Sequence, residues 1–319
     1  MMFITIITLI IGLAILIAGA EALVRGASSL ARRLGITSLV IGLTVVAFGT
    51  STPELFVNLY SSFKGASDIA IGNIIGSNIA NILLILGLSA IIAPLAVKKN
   101  TVWKEIPFAL LAVVLVFLMG NDALFDKVQF NELTRTDGFA LIAIFIIFMY
   151  YIVSIAKAGG NNEGEVKMYS LQVSLMCTIG GIAALAWGGK LLVDGAIILA
   201  RLAGMSEALI GLTIVAVGTS LPELATSVVA AFHNADDIAV GNIVGSNIFN
   251  VFWVLGVTSL ILPLPFNIRV NVDVGVSIIA TFLLFFAMFI GKRHKLERWQ
   301  GVWFVLLYGC YLGYLIMRG

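Results

Sequence analysis

Two glutamates each follow a proline inside stretches that are otherwise apolar, Glu54 in Gly49-Thr-Ser-Thr-Pro-Glu54 and Glu223 in Gly218-Thr-Ser-Leu-Pro-Glu223. Thr50 and Ser51 precede the first, and Thr219 and Ser220 the second. A proline has no N–H to give the carbonyl four residues back and clashes with it. The carbonyls around Gly49 and Thr50, and around Gly218 and Thr219, are therefore loosened. Thr50 and Glu54 are spaced i, i+4 and face the same way. Carboxylate, hydroxyl and carbonyl oxygens thus gather at one point, and such a set suits hard cations.

A second motif follows each copy: Gly72-Asn-Ile-Ile-Gly-Ser-Asn-Ile-Ala-Asn81 and Gly241-Asn-Ile-Val-Gly-Ser-Asn-Ile-Phe-Asn250. Ser77 and Asn81 are i, i+4 neighbours, as are Ser246 and Asn250, with Asn73 and Asn242 on the same stripes. Ca²⁺ takes about six to eight oxygens in irregular geometry, whereas Mg²⁺ demands an octahedron and keeps water. No His–Cys set accompanies the motifs, which argues against zinc or copper. Glycine, serine and asparagine in apolar helices also serve as packing contacts, and Asn78 and Asn247 are read that way. His233 and His294, near span ends, read as structural or solvated. Glu21, Asp122, Asp137, Asp194 and Glu207 read as solvated groups near the interfaces. Asp68 and Asp237 read as helix caps, with cation attraction at the two mouths as the alternative.

The two copies are one repeat. Between residues 42–94 and 211–263, 28 of 53 positions are identical at a gapless offset of 169. Leu23-Val-Arg-Gly-Ala27 likewise aligns with Leu192-Val-Asp-Gly-Ala196.

The elements that must hold these motifs lie in a membrane. The 319 residues are 60% hydrophobic and 11% charged, with a mean hydropathy of +1.08. Soluble domains carry about 25% charged residues. Ten apolar stretches approach the ~20 residues needed to span a bilayer: about 3–24, 38–62, 69–93, 102–120, 136–157, 170–193, 207–232, 238–262, 271–291 and 299–317. The first lacks the basic flank of a signal peptide and has a counterpart in mid-chain, so it is kept as a span. The expected fold is an all-α integral membrane protein of ten transmembrane helices in two inverted five-helix repeats. Residues 1–157 form the first repeat, 158–169 a linker and 170–319 the second. Five spans per half put the second half upside down, an architecture that places one site near the midplane and exposes it to either side. With the N-terminus outside, the inside loops hold 12 Lys and Arg and the outside loops 7, so both termini are expected outside.

Cys177 and Cys310 lie in apolar runs without metal-type spacing. No phosphate-binding loop or hydrolase signature is present, which leaves ATP-driven transport and enzyme activity without support. No cofactor and no nucleic-acid partner is implied. The lipid bilayer is the expected surroundings, and the oligomeric state stays open, a monomer included.

At these motifs the chain resembles the cation/calcium exchanger superfamily, in particular the prokaryotic sodium/calcium exchangers, whose repeats carry GTSxPE followed by GNxxGSN. The resemblance covers essentially the whole chain. It implies exchange of about three Na⁺ for one Ca²⁺ in a prokaryotic inner membrane. It also implies a calcium site made by the Glu54 and Glu223 carboxylates and the main-chain oxygens of Thr50 and Thr219. Sodium sites would add the Ala47 and Ala216 carbonyls, the threonine hydroxyls, Ser77 and Ser246. Asn81 and Asn250 would complete the centre, and Ser51 and Ser220 line it. The first and sixth spans would slide over the other eight. Some relatives carry Asp where this chain has Asn250, which weakens the case here for K⁺ cotransport. A H⁺/Ca²⁺ or K⁺-dependent exchanger is the alternative within transport, and a passive cation channel the alternative outside it.

Overall fold

The computed structural model describes residues 2–125, 127, 129–157, 168–202 and 216–318. Apart from the single turn Asp122–Phe125, the helices of the first half are, in chain order, α1 (Met2–Leu34), α2 (Ser38–Thr50), α3 (Thr52–Phe63), α4 (Ser67–Ile92), α5 (Thr101–Met119) and α6 (Arg135–Lys157). The second half supplies α7 (Leu171–Leu202), α8 (Ala216–Thr219), α9 (Leu221–Phe232), α10 (Asp236–Ile261), α11 (Val270–Ala287) and α12 (Arg298–Arg318). Among the described residues eight helices are long and apolar enough to cross a membrane, and α2 with α3, bent by 41°, count as a ninth if the pair is taken as one span. The seventh expected span is described only from Ala216 onward. Glu207, the first residues of the second copy's opening motif (211–215) and most of the linker (158–167) lie outside the described residues.

Hydropathy misplaced two ends. The stretches expected to stop near 24 and 193 continue as helix to Leu34 and Leu202. Arg25, Arg32 and Arg33 end the apolar run of α1, but arginine is a good helix former and the backbone continues through it. The fold is also not purely helical. Four two-residue strands pair at the helix ends: β1 (Leu95–Ala96) with β4 (Lys295–Leu296), and β2 (Glu132–Leu133) with β3 (Leu264–Pro265), both antiparallel. Each pair takes one strand from each half.

α4 and α10 are the most buried helices and run through the centre. Gly241 and Gly245 of α10 lie against α2, not against the preceding helix: a Cβ on Gly245 would sit 2.8 Å from the Ala47 Cβ. α1 and α7 form a separate antiparallel pair, so close that a Cβ on Gly188 would lie 2.7 Å from the Leu16 amide nitrogen. This pair meets the rest of the molecule unevenly. α1 lies along α9, whereas α7 makes no comparable contact with α3.

Candidate ion-binding site

The proline motifs break their helices in the same way. Ser51 (φ −83°, ψ 5°) and Ser220 (φ −87°, ψ 6°) occupy the two breaks, and Pro53 and Pro222 fall in the first turn of the helix that restarts. A proline there costs nothing, because those amides have no partner within the helix anyway. Each break therefore sets Thr and Ser at the end of one helix and Glu at the start of the next. Glu54 and Glu223 are both 1% exposed, and Glu223 reaches across to Ser51 at the other break.

α4 and α10 cross between the two breaks and are joined by their asparagines. Asn78 Nδ2 donates to the Asn247 carbonyl, and Asn247 Nδ2 to the Asn78 carbonyl, both at 3.3 Å. Asn81 Nδ2 donates to Asn247 Oδ1 at 2.9 Å, and Asn250 Nδ2 to Asn78 Oδ1 at 3.0 Å. Every bond has its mate at the repeat offset, the mark of a two-fold contact in which residue i meets j and j meets i. Asn78 and Asn247 thus play the packing role expected of them. By consuming the amide nitrogens of Asn81 and Asn250, they also leave those residues' Oδ1 atoms buried and without a partner.

The threonines are tied across the halves in the same fashion. Thr50 Oγ1 lies 3.1 Å from Asn242 Oδ1, and Thr219 Oγ1 lies 3.2 Å from Asn73 Oδ1. Thr50 Oγ1 also reaches the carbonyls of Val46 (3.1 Å) and Ala47 (3.3 Å). The Ala47 carbonyl further accepts the Ser51 amide at 3.0 Å, so an ion there would share an oxygen already in use. Ala216 opens α8, three residues before Thr219.

Around the carboxylates the two halves differ. Glu223 Oε1 accepts the hydroxyls of Ser51 (3.1 Å) and Ser246 (3.3 Å). The matching serines, Ser220 and Ser77, are buried with partnerless hydroxyls, and neither oxygen of Glu54 accepts a serine hydroxyl; the Thr219 side chain is the polar neighbour on that side. In all, seven buried side-chain oxygens of the sequence-predicted residues are unsatisfied: both of Glu54, Glu223 Oε2, and those of Ser77, Ser220, Asn81 and Asn250. A buried polar atom without a partner costs about 1–3 kcal/mol, so seven around two adjoining helix breaks mark a site built for something electropositive. Among the described residues no three His, Cys, Asp or Glu are grouped so as to hold a metal ion by themselves, and the donor set is all oxygen, with two carboxylates.

Two pairs of contributors escaped the residue-by-residue reading. Asn73 and Asn242 were placed on the right stripe but not among the site residues, yet they hold the two threonine hydroxyls. Asn242 Nδ2 also donates to the Glu223 carbonyl (3.3 Å) and to Ser227 Oγ (2.9 Å). Ser227 and its counterpart Asn58 lie one turn beyond each glutamate, and that i, i+4 spacing was the available signal.

The charged groups outside the site stay partly exposed, as expected, and several of them pair. His233 Nε2 meets Glu21 Oε2 at 2.7 Å, and Glu21 also pairs with Arg25. Asp68 and Asp237 are not the caps, since Ala66 and Ala235 occupy those positions. Asp237 pairs with Lys98 at 2.5 Å, and Asp68 accepts Asn267 Nδ2 at 3.3 Å. Both still sit in a first turn, where the helix dipole favours negative charge.

Paired proline breaks, a two-fold asparagine contact and an all-oxygen pocket in a membrane bundle together describe a cation antiporter. The chain belongs to the sodium/calcium exchanger protein family, whose profile matches residues 4–154 and 173–317. It is 31% identical to the sodium/calcium exchanger MaX1 of Methanosarcina acetivorans, over 84% of this chain and 85% of that one. It is 36% identical to the inner membrane protein YrbG of Escherichia coli, over 85% and 83%. Among solved structures, the sodium-calcium exchanger NCX_Mj soaked with zero Na⁺ and Ca²⁺ superposes with a TM-score of 0.84 at 37% identity, covering 99% of this chain and 100% of that one.

Proposed function

We propose that this protein exchanges Na⁺ for Ca²⁺, about three to one and electrogenically, at a single midplane site. The observation that carries the reading is the set of seven partnerless buried oxygens. Ca²⁺ seeks about six to eight oxygens, and two carboxylates balance its charge. The assigned ligands are the Glu54 and Glu223 carboxylates, the main-chain oxygens of Thr50, Thr219, Ala47 and Ala216, and the side chains of Ser77, Ser246, Asn81 and Asn250, lined by Ser51 and Ser220. Sodium ions use the same oxygens, so both cargoes cannot fill the site together. That mutual exclusion is the physical basis of exchange.

The architecture assigned is ten spans in two inverted repeats, with both termini outside the cell membrane. The reciprocal asparagine bonds and the strand pairing between halves support the inverted relation of the two repeats. Alternating access is assigned to the close-packed α1–α7 pair, and its one-sided contact with α9 supports a site open to one face at a time. A continuous pore has no such need for asymmetry.

Sodium-loaded proteoliposomes placed in radioactive Ca²⁺ should accumulate it until the sodium gradient is collapsed. Uptake should fall to background in Glu54→Ala and in Glu223→Ala. Exchange persisting in either variant would overturn the site. Uptake driven equally well by a proton gradient, or only in the presence of K⁺, would overturn the choice of coupling ion. Ca²⁺ flux without any counter-ion would make the protein a channel.

A further inference from the structure

α11 and α12 are neighbours that scarcely touch. Both lean on the π-helical turn Ala80–Leu86 of α4, and between them lies an apolar cavity of about 340 Å³ open to the side. Leu83 forms its floor, α11 lines it from Val272 to Leu283, and Cys310 and Tyr311 of α12 close the far wall. The eleven rises from Val272 to Leu283 make it about 16 Å long. Val272, Ile279 and Leu283 are exposed at its rim.

The same gap in the first half is filled. Phe252, at the repeat position of Leu83, and Phe108, at that of Ser277, meet there with ring centroids 5.2 Å apart, and Phe108 stacks on Phe148 at 5.1 Å. Gly138 of α6 abuts Gly256, and Gly301 of α12 abuts Gly87, which aligns α6 with α12 and places Tyr311 at the position of Phe148. In the second half, then, one ring of three remains. Leu83 and Ser277 replace the other two; Leu83 lines the groove with Tyr311, whereas Ser277 is fully buried with its hydroxyl unpartnered.

We infer that one acyl chain of a membrane phospholipid occupies this groove in place of the missing rings. A cavity in the lipid-facing wall of a membrane protein does not hold water when its lining is apolar, and hydrocarbon is the solvent at hand. The groove's end is equipped for a headgroup. Asp273 is neutralised by Arg318 (3.0 and 3.2 Å) and accepts the Tyr311 hydroxyl at 3.0 Å. The exposed Arg269, whose carbonyl Arg318 also reaches at 3.5 Å, has no ion pair among the described residues and is left to meet the lipid phosphate. The chain rests behind the turn that carries Asn81, two residues from Leu83, so the lipid is a wedge supporting one wall of the ion site.

Native mass spectrometry of protein purified from phosphatidylethanolamine–phosphatidylglycerol membranes tests this. The wild type should keep one phospholipid at collisional activation that strips the rest. Leu83→Phe, which restores the ring that the first half carries at this position, should retain it about tenfold less, the loss expected when about two methylenes' worth of burial is withdrawn. Cys310→Trp fills the groove from an exposed wall position, without touching the core, and should do the same. Arg269→Ala should shorten retention with the groove intact. Equal retention in the wild type and in both filled variants, or no retained phospholipid in the wild type, overturns the proposal. Neither result bears on the ion site, which the transport assay tests separately.

Discussion

The two halves share a repeat so close that their asparagines bond in mirrored pairs, yet their glutamates live differently. Glu223 accepts two serine hydroxyls, and its backbone is gripped by Asn242. Glu54 accepts neither serine hydroxyl, although residues of the same type stand at the same positions. The outer parts diverge as well, with a filled gap beside α5 and an open one beside α11. Duplication has conserved the crossing of α4 and α10, where every bond must be made, and has left the periphery free to differ. The difference teaches which parts of such a protein act as fixed frame. The asparagine contact is the frame, and the carboxylates, unequally held within it, are the parts able to reorganise around ions of different charge.

If the asparagine contact is the frame, either half should be equally intolerant of its loss. Asn78→Ala removes the acceptor of Asn250 Nδ2 and the donor to the Asn247 carbonyl, and Asn247→Ala does the mirror image. Two buried bonds lost, with their partners stranded, should cost about 2–6 kcal/mol in either variant, read as chemical or thermal unfolding in detergent. A clearly smaller loss in one variant would mean that the contact is not truly two-fold. The serines should behave in the opposite way. Ser51→Ala removes a donor to a buried carboxylate and should destabilise the ion-free protein by about 1.5–3 kcal/mol. Ser220→Ala removes a hydroxyl with no partner and should leave ion-free stability nearly unchanged. Equal effects in that state would erase the inequivalence of the two glutamates.

The sequence disclosed the frame better than the asymmetry, for a physical reason. Buried polar residues in apolar stretches are conspicuous by type, so Glu54, Glu223 and the two asparagine motifs could be found by spacing alone. What spacing cannot show is which of two identical serines turns toward its carboxylate, because Ser51 and Ser220 have identical neighbours on one side and the same local backbone. Nor could it reveal the strand pairs, since Leu95–Ala96 and Lys295–Leu296 carry no two-residue pattern of their own and pair only because helix ends bring them together. The run of α1 past Arg25 was hidden because hydropathy measures what lipid tolerates, while the helix obeys its own propensities. Asn58 and Ser227 were legible in principle, one turn beyond each glutamate.

The smallest expected effect concerns the periphery, where the repeat reverses sign. Glu21 and Arg25 pair on α1, and at the matching positions of α7 Lys190 and Asp194 pair with the charges exchanged. His233, at the end of α9, meets Glu21, but the residue matching His233 is Lys64, at the end of α3 and over the Tyr60 ring. A cation on α7 facing a cation on α3 disfavours the contact that α1 and α9 make. This agrees with the α1–α7 pair lying against α9 and standing off α3. Lys64→Glu converts that repulsion into an attraction between residues 64 and 190, and should draw α7 toward α3. Exposed pairs are weak, so the population should shift by only about two- to fivefold. Spin labels on α7 and α3 would read this as growth of a shorter distance. Glu21→Gln, which removes the attraction on the other side, should move the same populations in the same direction, and the two substitutions should reinforce one another. An unchanged distance distribution in the double variant would show that packing of α1 on α9, and not this reversed charge, decides which side of the site is closed.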